Sequence, residues 1–203
     1  MLNYDPIPKS ESDLLLREWG YDLLEEYFTM ISAAGFPQNG LILDIATGSG
    51  RAVSTLTRLG HSVITGDHSL DSKSECEKRI TESYLNKVKF IQLNLKQIPF
   101  TDDAIVNVVC INTLHELDDP FLCLKEICRI HSTAGKLLIA DFNAEGFDVM
   151  DKLHIIRERG LHPRCKISSE GIKKNLVEAY FNVEEINTKL NNGFIVSRKR
   201  NEK

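Results

Sequence analysis

The run Leu41-Ile-Leu-Asp-Ile-Ala-Thr-Gly-Ser-Gly50 constrains this chain more than any other feature. Five residues of strand length, mostly apolar, lead into a loop of small residues. A helical pattern follows at once and continues to Leu59-Gly60. A strand that turns through glycines directly into a helix is the opening half of a βαβ unit, and a βαβ unit commits the chain to parallel strands with covered faces.

The remaining pattern repeats that alternation. Strands are expected at 61–67, 87–94, 104–111 and 135–142, with helices at 70–86 and 120–130 between them. Residues 11–34 place leucines and aromatics at helical spacing, and Gly35 and Pro37 end that run as a single long helix. Beyond Phe142, helices are expected at 148–159 and 168–180. Asn191-Asn192-Gly193 then reads as the turn of an antiparallel hairpin, because Asn-Gly tolerates positive φ. The expected fold class is α/β, a doubly wound and mostly parallel sheet closed by that C-terminal hairpin. One domain is expected over 1–203: an N-terminal helical cap (1–40), a ligand-binding core (41–142), helices on the substrate side (143–180) and the hairpin (181–203).

The loop suits a nucleoside-bearing ligand. Gly48 and Gly50 let the backbone approach without a Cβ, and the helix after them presents free N–H groups. Asp67 closes the second strand, where an acid can accept from both hydroxyls of a ribose. A dinucleotide fingerprint would need a third glycine where Val53 stands, and Asp44, close to the loop, disfavours a pyrophosphate. A nicotinamide oxidoreductase is therefore the weaker alternative.

These residues resemble motif I of the class I S-adenosylmethionine-dependent methyltransferases. Asp44 matches the motif's acid, Gly48 and Gly50 match its second and third glycines, and Ala46 replaces the first. The ATGSG form is similar to the loop of the ubiquinone/menaquinone C-methyltransferases. Asp67 matches the ribose-binding acid, and residues 90–109 resemble the family's Pro-Phe segment, with Asn94 in place of the acid that faces the adenine. Thr133-Ala134-Gly135 stands where the family has a PGG-type turn before the fifth strand. The resemblance spans about residues 41–142 and implies a Rossmann-like domain. It implies S-adenosyl-L-methionine as cofactor, held by Asp44, Ala46, Thr47, Gly48, Gly50, Asp67, His68, Asn94, Leu95 and Asn112. It further implies methyl transfer to a small-molecule acceptor, for which quinone-like C-methylation is one possibility. A module that binds the cofactor but works silently through a partner is the alternative from outside enzymology.

No residue set for acid–base catalysis is evident, and methyl transfer from a sulfonium needs little beyond positioning and exclusion of water. His115, after the fourth strand, is the one catalytic candidate: either a proton acceptor or a histidine packed beside the pocket. Cys128 with His131, and His162 with Cys165, match no standard zinc spacing, so no metal site is expected. Arg157, Arg159 and Arg164 form a basic stretch that is either an anion clamp on the acceptor side or a solvated face.

Composition excludes other classes. Twenty-five basic and 29 acidic residues leave a formal charge of −4, without the basic surplus of a nucleic-acid binder. No apolar run reaches the ~18–20 residues of a membrane span, and the first residues lack a secretory pattern. Five cysteines without a CxxC pair point to reduced thiols, so a cytoplasmic location is expected.

Overall fold

The computed structural model describes residues 5–164 and 167–199. Its strands are β1 (Leu41–Ile45), β2 (Ser62–Asp67), β3 (Val88–Gln92), β4 (Ile105–Ile111), β5 (His131–Phe142), β6 (Tyr180–Asn187) and β7 (Asn191–Lys199). They form one seven-stranded sheet in the order β3-β2-β1-β4-β5-β7-β6. Strands β1 to β5 pair in parallel, while β7 is antiparallel to both β5 and β6. The chain walks outward from β1 through β2 to β3, then returns to lay β4 on β1's other side. That reversal leaves a crevice at the carboxyl ends of β1 and β4.

Helices cover both faces, as parallel strands require. On one face α2 (Leu23–Ala34), α3 (Arg51–Arg58) and α4 (Lys73–Ile80) bury Met30, Ile31, Val53, Leu56 and Ile80 against Ile42 and Val109. On the other, α6 (Pro120–Ile130) and α8 (Ser169–Ala179) bury Leu124, Ile127 and Leu176 against Leu43, Val108 and Ile139. A third cluster joins α1 (Glu11–Glu18) and α7 (Ala144–Ile156), with Leu16, Met150 and Leu153 meeting Phe142 and Leu190. This cluster sets α7 beside the carboxyl end of β5.

The alternation of strands and helices follows the sequence expectation, with four local departures. The long helix expected over 11–34 is two helices: Gly20 takes φ +83° after α1, and Asp22 caps α2 by accepting from Leu24 N and Glu25 N at 3.1 and 3.3 Å. The helix expected over 70–86 is likewise broken at Thr81, φ +69°, into α4 and a short α5 (Glu82–Leu85). Thr133-Ala134-Gly135 is no turn before a strand but part of β5, which starts at His131 and shifts register against β4 between Ile105 and Asn107. Gly135 is required there, because a Cβ would lie 1.4 Å from the Val106 carbonyl oxygen.

The hairpin is present, but its turn lies at Thr188-Lys189-Leu190, and Asn191, Asn192 and Gly193 are the first residues of β7. Glu26 of α2 decides this. Its buried carboxylate accepts from the Thr188 hydroxyl, from Lys189 N at 3.2 Å, from Leu190 N at 3.0 Å and from Asn191 Nδ2 at 3.1 Å. An acid remote in sequence outweighs the local turn preference of Asn-Gly.

Candidate functional site

At the carboxyl ends of β1, β2 and β4 lies a cleft of about 670 Å³. Of the residues singled out from the sequence, Ala46, Thr47, Gly48, Asp67, His68, Asn94, Leu95 and Asn112 line it. Asp44, Gly50 and His115 do not reach its surface.

The loop 46–50 carries the strain of its own turn. Ala46 adopts φ +66°, a left-handed conformation that the absent glycine would take without penalty. Gly48, φ +45°, opens to the cleft, and a Cβ there would meet nothing closer than 4.0 Å. Gly50 has another task. It is the N-cap of α3 at φ +82°, and a Cβ would lie 2.6 Å from Cys76 Sγ and 3.2 Å from Cys76 Cα. Close packing on α4 therefore demands this glycine, rather than the ligand approach expected from the sequence.

Asp67 sits at the end of β2 and holds the loop from across the crevice. One carboxylate oxygen accepts from Gly48 N at 3.0 Å and the other from His68 N at 2.8 Å. Asp44 lies below the floor, 1% exposed. The Thr65 hydroxyl donates to its Oδ2 at 2.8 Å, and Thr47 Oγ1 lies 2.8 Å from that same hydroxyl. Its Oδ1 has no partner, and burial pushes the carboxyl up to about 7. Asn112, φ +54°, ends β4; its Nδ2 donates to the Tyr27 hydroxyl at 3.4 Å while its buried Oδ1 is left without a partner. Asn94 is exposed, its Oδ1 accepting from Lys96 N at 3.0 Å.

The structure adds residues that sequence reasoning missed. Asp13 of α1 is 3% exposed and meets both Arg51, the first residue of α3, and Arg79 of α4. Burial opposes its charge, yet Arg51, Ser10 and Arg79 hold its carboxyl well below the usual carboxylate range. Arg79, 4% exposed, also donates to the Ser49 carbonyl at 2.7 Å and the Pro8 carbonyl at 3.1 Å. One guanidinium thus ties the N-terminal segment to the glycine loop. A Ser-x-x-Asp capping box over Ser10–Asp13 was the only local signal.

His115 belongs to a buried polar group beside the cleft. Its Nδ1 meets the Asp141 carboxylate and its Nε2 lies 2.9 Å from His162 Nε2. Burial works against its charge, but Asp141 and Glu116 more than compensate and hold the imidazole up at about 9. His162 goes the other way, to about 4, through burial and the neighbouring His115 and His154. Glu116 and His162 line the cleft, together with Leu117, Phe142 and Met150.

The basic stretch is turned away. Arg157 pairs with exposed Glu11 at 3.2 Å, Arg159 is exposed, and Arg164 pairs with Asp151 and stacks over Phe147. None of the three lines the cleft, so the clamp reading has no geometric support. His131 Nδ1 meets the Tyr180 hydroxyl at 2.9 Å, and His162 meets His115. Cys165 lies outside the described residues.

Comparison with known proteins matches residues 43–139 to the methyltransferase domain family. Over just under half of its length the chain is thus similar to a methyltransferase domain, and its fold is that of S-adenosylmethionine-dependent methyltransferases of known structure. It is similar to the ubiquinone/menaquinone biosynthesis C-methyltransferase of Proteus mirabilis, 26% identical over 151 residues covering 71% of this chain, and it spans 60% of that protein's length. Among solved structures, a SAM-dependent methyltransferase from Aquifex aeolicus shares the fold with a TM-score of 0.65 at 19% identity, covering 93% of this chain and 98% of its own. The PH0226 protein of Pyrococcus horikoshii does so with a TM-score of 0.68 at 17% identity, over 86% and 89% of the two chains.

The cofactor that this similarity implies is S-adenosylmethionine, and the residues present fit it. The open side of Gly48 admits a ligand backbone-close, and the unpartnered Oδ1 of Asn112 offers a buried acceptor in the cleft wall. Among the described residues no helix is long and apolar enough to cross a membrane.

Proposed function

We propose that the methyltransferase domain transfers a methyl group from S-adenosylmethionine to a small-molecule acceptor by in-line displacement. The observation that carries this reading is the division of one cleft into two chemically different halves. The half around Ala46, Gly48, Asp67 and Asn94 is polar and backbone-rich; the half around Leu117, Phe142 and Met150, walled by α7, is the more apolar one, with Glu116 and His162 as polar groups at its wall.

In the first half Asp67 is fixed through Gly48 N and His68 N, which leaves the remaining lone pairs of both oxygens for the two hydroxyls of a ribose. Thr47 and Gly48 shape the loop against the ligand, and Leu95 and Asn94 flank the base. Asn112 Oδ1 accepts from a donor on the ligand. Asp44 acts from beneath, through Thr65 and Thr47, and positions the loop without touching the ligand. When bound, the cofactor supplies an electrophilic methyl group on a sulfonium that leaves as a neutral thioether. The apolar half excludes water and holds the acceptor, the main contributions such a reaction needs.

Incubation of the protein with methyl-labelled cofactor and small-molecule extract tests this reading. Label is expected in a low-molecular-weight product, and its appearance depends on Asp67. Cofactor binding with no labelled product from any fraction would leave a binding module and overturn the proposal.

A further inference from the structure

His115 and His162 bring their Nε2 atoms within 2.9 Å of each other, and Glu116 Oε1 lies 3.7 Å from His115 Nε2. The three ligating atoms all fall within 4.8 Å of one another. Both imidazoles are buried, at 2% and 6% exposure, whereas the Glu116 side chain is half exposed.

Each imidazole is braced from behind. Asp141 meets His115 Nδ1 with one oxygen and accepts from His115 N at 3.0 Å with the other. His162 Nδ1 lies 3.1 Å from His154 Nε2, and His162 N donates to Asp151 Oδ1 at 2.9 Å. If the two Nδ1 protons go to Asp141 and His154, both Nε2 lone pairs point into the same small space, beside a carboxylate. Such an arrangement is repulsive unless a cation sits there. A proton on His115 satisfies it in the metal-free protein; a metal ion satisfies all three groups at once.

We infer that His115, His162 and Glu116 form a binding site for a first-row divalent transition-metal ion, with Asp141 and His154 orienting the imidazoles. Two histidines and one carboxylate, each histidine held by an outer partner, is a donor set that zinc, iron or cobalt takes and that magnesium or calcium does not favour. Tetrahedral nitrogens at about 2.0–2.1 Å from zinc stand roughly 3.3 Å apart. The 2.9 Å pair therefore has to open by only a few tenths of an ångström. Three protein ligands leave a coordination position free, and since Glu116 and His162 line the cleft, that position faces the apolar half. The site would thus take a heteroatom of a bound small molecule. Binding of the ion does not depend on the methyl-transfer reading and is measured without turnover.

Metal-free protein is titrated with Co²⁺ and separately with Zn²⁺, followed by calorimetry and visible absorption. One equivalent of Co²⁺ is expected to bind with ligand-field bands of a four- or five-coordinate ion and no thiolate charge-transfer band, and Mg²⁺ in the same range gives no heat. Glu116→Gln and His162→Ala should each weaken binding by about tenfold or more, and His154→Ala, removing an outer partner, by about tenfold. Glu116 is half exposed, so its variant keeps the test valid should His162→Ala fail to fold. Absence of stoichiometric binding, a thiolate band, or unchanged affinity in Glu116→Gln overturns the site.

Discussion

Asp13 of the N-terminal helix grips Arg51, the first residue of the helix after the glycine loop, through Nε at 3.0 Å and Nη2 at 2.8 Å. Its second oxygen meets Arg79 at 2.8 Å, and Arg79 reaches on to the Ser49 carbonyl. The helix that precedes the sheet is thereby fastened to the loop that holds the ligand. Removing the carboxylate leaves Arg79 buried with an uncompensated charge. Asp13→Ala should therefore cost about 3–5 kcal/mol in urea unfolding, the range for a broken buried pair. The stabilisation is present above the ordinary carboxylate pKa and is lost as the pH falls, because the folded state holds this group deprotonated. A loss under 1 kcal/mol would show that the cap is not held by this pair.

Asp67 supports the loop and the ligand together. Asp67→Ala frees Gly48 N and removes the acceptor expected to face the ribose, while the strand end it occupies stays paired with Gln92. Cofactor affinity should fall tenfold or more, corresponding to charge-assisted bonds of about 1.5–3 kcal/mol each before compensation. Calorimetry with the demethylated cofactor product measures it. Wild-type affinity would remove Asp67 from the binding site.

Asp44 gives the stability a pH dependence of its own. Its folded pKa is raised to about 7 from an ordinary 3.8, so between those values the native state binds more protons than the unfolded chain. Stability therefore declines as the pH rises through that window, by on the order of 4 kcal/mol from this group in full. Asp44→Asn removes the decline and keeps an acceptor for Thr65. In the absence of cofactor, the variant should gain on the wild type between pH 5 and pH 8. An equal difference between the two proteins at both pH values would mean that Asp44 is ionised throughout.

Gly50 is a packing residue. Gly50→Ala places a Cβ against Cys76 in a left-handed backbone, combining overpacking of about 1–3 kcal/mol with a conformational cost of about 1–2 kcal/mol. Gly48→Ala meets only the conformational cost in the unliganded protein. The melting temperature should drop clearly more for position 50 than for position 48, while cofactor affinity responds at position 48. The reverse order would contradict the division of labour between the two glycines.

The sequence by itself determined the parallel sheet, its closing antiparallel pair and the strand–loop–helix at residues 41–50. Each of these is encoded by neighbours: apolar runs of strand length, helical spacing, glycines where the backbone turns. Eight of the expected cofactor residues reach the cleft because they stand on the loops and strand ends that this local code sets. Tertiary structure alone decided the rest. Glu26 moved the hairpin turn to Thr188–Leu190, Cys76 took Gly50 for packing, and Arg157 and Arg164 were drawn to acids outside the cleft. His115 comes from the short 3-10 helix Leu114–Glu116 and His162 from the loop after α7, and their meeting depends on α7 docking against Phe142 and Leu190. Spacing along the chain records only what lies within a few residues. The pairing of buried charges and imidazoles is set by which elements pack together, and there the cost of an unpartnered polar group makes the choice.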